Sequence, residues 1–224
     1  MNHAPTHPPR LQDEPEEFCL CADDLPLLSG SITLPCWDAR RARRFARYYR
    51  ACADGFRRTC RTVLFPQAEE AFHRAVESGG PLPQWQATLS ATFTLQRPHL
   101  VSLHTDTVVT GMPRRSLARQ GDTWDLRSGL LLSLPECFPP RAPWRHRLLA
   151  HARSQIAGWE EQGVARYHDG WQRLLPRAFS PHRFYLTAEG LCFFFPADSI
   201  APLVEGIPTF CVAYDEEKGP FIPE

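Results

Sequence analysis

Eight cysteines, nine histidines and a scatter of aspartates are the residues of this 224-residue chain that could carry chemistry. The cysteines are Cys19, Cys21, Cys36, Cys52, Cys60, Cys137, Cys192 and Cys211. No Cys-x-x-Cys occurs, so the spacing of a zinc ribbon is missing, and Cys19-x-Cys21 stands by itself near the N-terminus. Cys192 and Cys211 fall in apolar runs where a thiolate is disfavoured, which reads as structure and not as a nucleophile. His99 and His104 are five apart in or beside a strand and point to opposite faces. His146 and His151 are five apart on a helix, about 140° from one another, too far round to share a metal. Asp106, Asp122 and Asp125 are the candidates for paired acids, each equally at home in a turn or on an exposed strand face. Nucleophile elbow, glycine-rich phosphate loop and His-Glu-x-x-His are all lacking. Spacing therefore assigns no catalytic residue, no cofactor and no metal. The alternative is a hydrolase whose Cys–His or carboxylate site is assembled only by the fold.

Arginine is the other conspicuous chemistry. Nine arginines lie between Arg40 and Arg61, interleaved with Tyr48 and Tyr49, in the manner of a nucleic-acid-binding segment. Helical geometry gives a different reading. Phe45, Tyr49, Cys52, Phe56, Cys60 and Val63 recur at steps of three and four and form an apolar stripe. Arg43, Arg47, Arg50, Arg57 and Arg61 fall on the opposite side at about 100° per residue. The pattern is a core-packing helix with a solvated basic back, so nucleic acid is not the expected partner. The formal net charge of zero agrees, since it gives the whole chain no electrostatic bias towards nucleic acid or anionic membrane.

Apolar residues make up 43%, enough for a packed core, and no run approaches the ~18 apolar residues of a membrane span. An even cysteine count permits disulfides in an exported protein. No secretory n-region and h-region precede these cysteines, however, so reduced buried thiols in a cytoplasmic protein are expected.

The elements that must position these residues can be read in order. Residues 1–29 form a disordered or weakly ordered leader, with four prolines and an acidic cluster in the first 17. Ser31 to Leu34 alternates briefly, as an edge strand would. Asp38 is the N-cap expected for a helix to about Leu64, and Pro66 opens a second helix that Gly79-Gly80 ends. Ala87, Leu89, Ala91, Phe93 and Leu95 alternate with polar residues and define a strand, and Leu100 to Thr110 is its partner across Pro98-His99. Residues 111–121 read as a loop with three arginines. Thr123 to Leu126 and Leu130 to Leu134 pair across Arg127-Ser128-Gly129. Pro143 begins a long helix that ends near Gly163, and a short helical piece covers Tyr167 to Leu175. The most apolar stretch follows: strands Phe184 to Leu186, Leu191 to Phe195 and Phe210 to Tyr214. Gly190 supplies positive φ in the first turn, and Phe193-Phe194-Phe195 is buried on both faces. The class is α+β, with antiparallel sheets, helices packed on one face, and two intimately joined halves at 30–116 and 117–214 before a tail at 215–224.

Trp124-Asp125-Leu126-Arg127-Ser128-Gly129, followed by Leu134 to Phe138, resembles the aspartate-leucine-x-x-glycine block of the RsiV-like C-terminal domain family. That family is known from a lysozyme-sensing anti-sigma factor and from regions accessory to peptidoglycan deacetylases. Phe184-Tyr185-Leu186-Thr187, Glu189-Gly190-Leu191, Ile200-Ala201-Pro202 and Gly206-Ile207-Pro208 are similar to its terminal signature, and the likeness extends over residues 30 to 214. The resemblance implies a domain without catalysis of its own that binds a protein or cell-envelope-derived ligand, in a family often found outside the cytoplasm. Gly111-Met112-Pro113 replaces a Gly-Gly-Ala-His-like turn, and Asp198 replaces an aromatic residue. The loops around Gly111 and Asp198 are therefore where this chain is expected to carry its own specificity. The membrane anchor and sigma-binding segment of the anti-sigma factors are not in this sequence, so lysozyme sensing across a membrane is not expected of it.

Overall fold

Residues 8–37, 43–111 and 114–223 are described by a computed structural model. The expected N-cap Asp38 and the turn residues Met112 and Pro113 lie outside them. The class is α+β with mostly antiparallel sheets, as expected. Among the described residues no helix is long and apolar enough to cross a membrane. The chain divides into two compact units: residues 1–91 with 105–117, and residues 92–104 with 118–224.

In the first unit, β1 (Arg10–Leu11) pairs with β4 (Pro35–Cys36), and β2 (Glu16–Ala22) forms a hairpin with β3 (Leu25–Thr33). Where the sequence reads as a leader, the described residues from Pro8 onward thus hold strands. Phe18 anchors them, because its ring lies over Gly30 and meets Phe56 edge-on at 6.3 Å. Ser31 to Leu34 is not an edge: β3 lies between β2 and β5 (Trp85–Arg97) and runs parallel to β5, from Leu28↔Trp85 to Thr33↔Ser90. A parallel pair needs a long crossover. Helix α1 (Arg43–Thr59), a π-helical turn (Cys60–Leu64) and α2 (Phe65–Ser78) supply it. Hairpins alone do not describe this unit.

The apolar stripe of α1 is buried at Phe45, Tyr49, Ala53, Phe56 and Cys60, and then fails at Val63, which is 46% exposed. The π turn accounts for the failure. It takes more residues per turn than an α-helix, so it rotates the following positions out of phase with the stripe. Pro66 sits in the first turn of α2, and Gly79 (φ 65°) closes it, as expected.

In the second unit, β9 (Phe184–Leu186), β10 (Gly190–Phe194) and β11 (Thr209–Ala213) form an antiparallel sheet in the order β11-β10-β9. The unalternating aromatic run has the meaning expected of it. Phe193 packs with Leu186, Leu191, Phe210 and residues of α3 (Trp144–Glu161), whereas Phe194 packs with Tyr185 and Cys192 on the other face. Trp159 of α3 stacks on Phe210 at 5.6 Å, and α4 (Trp171–Ala178) closes the core with Trp171 and Leu175. Gly190 does not take positive φ. It is the first residue of β10, and a Cβ there would stand 2.1 Å from the carbonyl oxygen of Val212. Close approach of two backbones demands this glycine, and the turn does not.

At Leu186, the outer edge of β9 is satisfied by side chains. Leu186 donates its N–H to Ser102 Oγ at 2.8 Å, and its carbonyl accepts from Thr94 Oγ1 at 2.6 Å. Ser102 and Thr123 share a 2.8 Å hydroxyl contact, both fully buried, so the hydroxyl that receives Leu186 is itself partnered.

Three long strands follow one another in sequence: β5, β6 (Leu100–Gly111) and β7 (Arg114–Asp125). Residues 111–121 are therefore not a loop beyond Gly111 and the undescribed pair, because β7 begins at Arg114. Its Arg-Arg-Ser-Leu-Ala-Arg-Gln-Gly carries almost no apolar alternation, and pairing within the six-stranded sheet overrides that weak propensity. The short β8 (Leu130–Leu131) completes the hairpin across Arg127-Ser128-Gly129, with Trp124↔Leu131 and Asp125↔Leu130 in register and Gly129 at φ 67°.

Candidate ligand cleft

The expected chemical residues do not converge. Cys192 and Cys211 face each other in register on β10 and β11 and form a disulfide, which corrects the expectation of reduced thiols. Register explains the bond: antiparallel pairing brings two same-face side chains 19 residues apart to directly opposed positions. Cys60 and Cys137 are fully buried, and burial pushes their thiols up to about 11 and about 12, with the charge of Glu136 adding to the effect on Cys137. Neither is a thiolate nucleophile at neutral pH.

His146 is exposed, and His151 donates from Nε2 to the carbonyl of Cys211 at 2.9 Å. His104 sets its ring 5.1 Å from that of Tyr185, over which Arg119 also lies at 5.9 Å. His99 is half-buried in the β5–β6 turn, and its carbonyl accepts the N–H of Leu126 at 2.8 Å.

Of the aspartates, Asp106 is half-buried on β6. Asp122 is 4% exposed, contrary to the turn or open strand face expected for it, because β7 continues through this position into the sheet. Asp125 shapes the β7–β8 turn. Burial raises its carboxyl, but the backbone N–H of Arg127 at 2.9 Å, the Ser128 hydroxyl and the Arg127 guanidinium outweigh this and hold it below the ordinary carboxylate value. That is a turn-forming aspartate, not a general acid. Among the described residues no three His, Cys, Asp or Glu side chains cluster as metal ligands.

The two loops singled out for specificity also have local work. Gly111 lies against the ring of Trp85. Asp198, at φ 62°, receives His168 Nε2 on its carbonyl and its carboxylate, both at 3.3 Å.

What the fold does assemble is a cleft in the first unit of about 880 Å³, between α1 and the β1–β4 ribbon. Trp37 and Tyr49 line its apolar side and are joined through Phe45, with ring centroids 5.8 and 4.7 Å apart. Arg10, Arg50 and Arg57 bring three guanidinium groups to it. Arg10 is tied to Asp13 at 2.8 Å, while Arg50 is exposed. Arg57 grips Glu16 through Nε at 2.8 Å and also bonds Asp54 at 2.8 Å, so an acidic residue of the supposed leader neutralises part of the basic face of α1.

The hydrogen bond from Arg57 holds the Glu16 carboxyl below its ordinary value of 4.5, against a small opposing effect of burial. A depressed carboxylate contributes stability above the unfolded value, and the contribution is lost as pH falls through the folded one. The pair is partly open to solvent, with 28% of the Arg57 and 45% of the Glu16 side chain exposed, so screening keeps the contribution small. Urea midpoints should therefore separate wild type from Glu16→Gln at neutral pH and converge as the pH is lowered through the folded-state value, below the ordinary 4.5.

Sequence reasoning found the aromatic stripe and the arginines but not the cleft. A two-residue strand such as Arg10–Leu11 has no periodicity to detect, and only its pairing with Pro35–Cys36 walls the groove.

No curated protein matches the chain. Residues 138–215 match the family model described as a protein of unknown function, DUF3298. Two solved structures are similar in fold. A DUF3298 family protein from Pseudomonas aeruginosa PAO1 is 17% identical with a TM-score of 0.59, over 92% of this chain and 91% of that one. A member of the same family from Bacteroides fragilis NCTC 9343 is 14% identical with a TM-score of 0.59, over 97% and 96%. Residues 138–215 thus match the DUF3298 model, and the chain is similar in fold to two DUF3298 proteins along nearly its whole length.

Proposed function

We propose that this chain is a binding domain of the RsiV-like kind, without catalysis of its own, that holds a protein or cell-envelope-derived ligand in the cleft of its first unit. The observation that carries this reading is the cleft itself. Its size is that of an ordinary ligand site, and it sets an aromatic wall beside the exposed Arg50, with Arg10 and Arg57 already held by Asp13, Glu16 and Asp54, a chemistry that receives an amphipathic ligand with a single anionic group. The Cys192–Cys211 bond supports a place of action in an oxidising compartment, where an envelope ligand would be met.

Titration calorimetry against lysozyme and against solubilised peptidoglycan fragments tests the reading. Ala46 lines the cleft from α1, and Ala46→Trp should fill it. Binding of one probe by wild type, weakened at least about tenfold in both Ala46→Trp and Arg50→Glu, is the expected outcome. Failure of wild type to bind either probe, or undiminished binding by both variants, overturns it.

A further inference from the structure

Cys19 and Cys21 lie two apart on β2, both exposed, with their sulfur atoms 3.8 Å apart. Strand β2 is an outer strand of its sheet, so its side chains are open to solvent along one edge. Alternate residues of a strand point to the same side but stand roughly 6.5 Å apart along it. Here the two side chains lean towards one another, so that the sulfur atoms meet. Two sulfurs 3.8 Å apart can both touch one ion at a metal–thiolate distance of about 2.3 Å, with an angle of roughly 110° at the metal. Among the described residues there is no third His, Cys, Asp or Glu ligand in place. A zinc or iron–sulfur site, which draws four ligands from the protein, does not fit such a pair. An ion satisfied by two or three soft donors does, and thiolate softness selects copper(I) among the common metals.

We propose that Cys19 and Cys21 form a surface site for a single copper(I) ion, its open side completed by a small thiol from solution. Both protein thiols and the small thiol that completes the site release their protons to the buffer as the ion binds, which leaves a tris-thiolate complex with two net negative charges and transfers no electron. The site lies outside the residues that line the proposed ligand cleft and stands or falls separately from it.

The experiment is an anaerobic titration of the reduced full-length chain with copper(I) held by the chromophoric chelator bicinchoninate. Wild type should withdraw one more equivalent of copper than Cys19→Ser/Cys21→Ser, which retains every other cysteine. Each single serine variant should lose that equivalent as well. The pair Cys36→Ser/Cys52→Ser is the control and should keep the full count. Because Cys19 and Cys21 are exposed, their replacement should leave the circular dichroism spectrum unchanged. Equal copper counts for wild type and Cys19→Ser/Cys21→Ser overturn the proposal, as does loss of the equivalent in the control pair instead.

Discussion

Gly121→Ala should destabilise the second unit by about 3–5 kcal/mol and lower its melting temperature by on the order of 10 °C. A Cβ on Gly121 would lie 2.0 Å from the carbonyl oxygen of Phe184 and 2.8 Å from its carbonyl carbon. Both are backbone atoms of β9, so the clash cannot be relieved by a rotamer change. Moving β9 away would break the bonds from Leu186 to Ser102 and from Thr94 to Leu186, and would open the core around Phe184 and Leu186. Gly55→Ala is the internal control. Gly55 lies mid-way in α1 with open space where its Cβ would be, so alanine there should stabilise by about 0.5–1 kcal/mol. Thermal unfolding of the two variants should shift in opposite directions. A Gly121→Ala protein that melts with wild type would show that β9 does not rest on β7 at this position.

The second large effect concerns the Cys192–Cys211 bond. It closes a loop of 19 residues, for which the loss of chain entropy in the unfolded state corresponds to about 3 kcal/mol. Cys192→Ala/Cys211→Ala should lower stability by about that amount in urea unfolding, and it should also remove any response to reductant. Wild type should fall towards the variant when reductant is added, because Cys211 is exposed and within reach of a small thiol. The enclosed loop holds the connection from β10 to β11, with Phe195 and Ile200 in the core, so the loss should appear as weakened aromatic near-UV signal before the helices melt. Equal urea midpoints for wild type and variant, with and without reductant, would contradict the bond.

Much of this architecture can be read from residue order. Ala87 to Leu95 alternates and is a strand, the Phe45–Cys60 stripe is the buried face of a helix, and Phe193 and Phe194 bury on opposite faces of one sheet. In each case neighbours a few residues apart express the pattern, and local periodicity is the signal that survives in a single sequence. The readings that needed correction share the opposite property. β7 has no periodicity of its own and exists because β6 and β8 flank it. Gly190 was legible as a glycine that matters, but its reason is the carbonyl of Val212, 22 residues away. The parallel pairing of β3 with β5 depends on the helical crossover between them, which no short window contains.

The same division holds for the candidate sites. Residue types and spacing alone determined the α+β class, the basic back of α1 and its apolar stripe, and the lack of any motif that names a reaction. Tertiary structure decided that Cys192 and Cys211 are bonded, that Arg57 is held by Glu16, and that Trp37, Tyr49 and Arg50 line one cleft with Arg10. The physical reason is range. Side-chain periodicity is set by neighbours on one element, whereas a disulfide, an ion pair or a cleft wall depends on which distant strands lie opposite one another. Register and packing of the whole chain fix that choice.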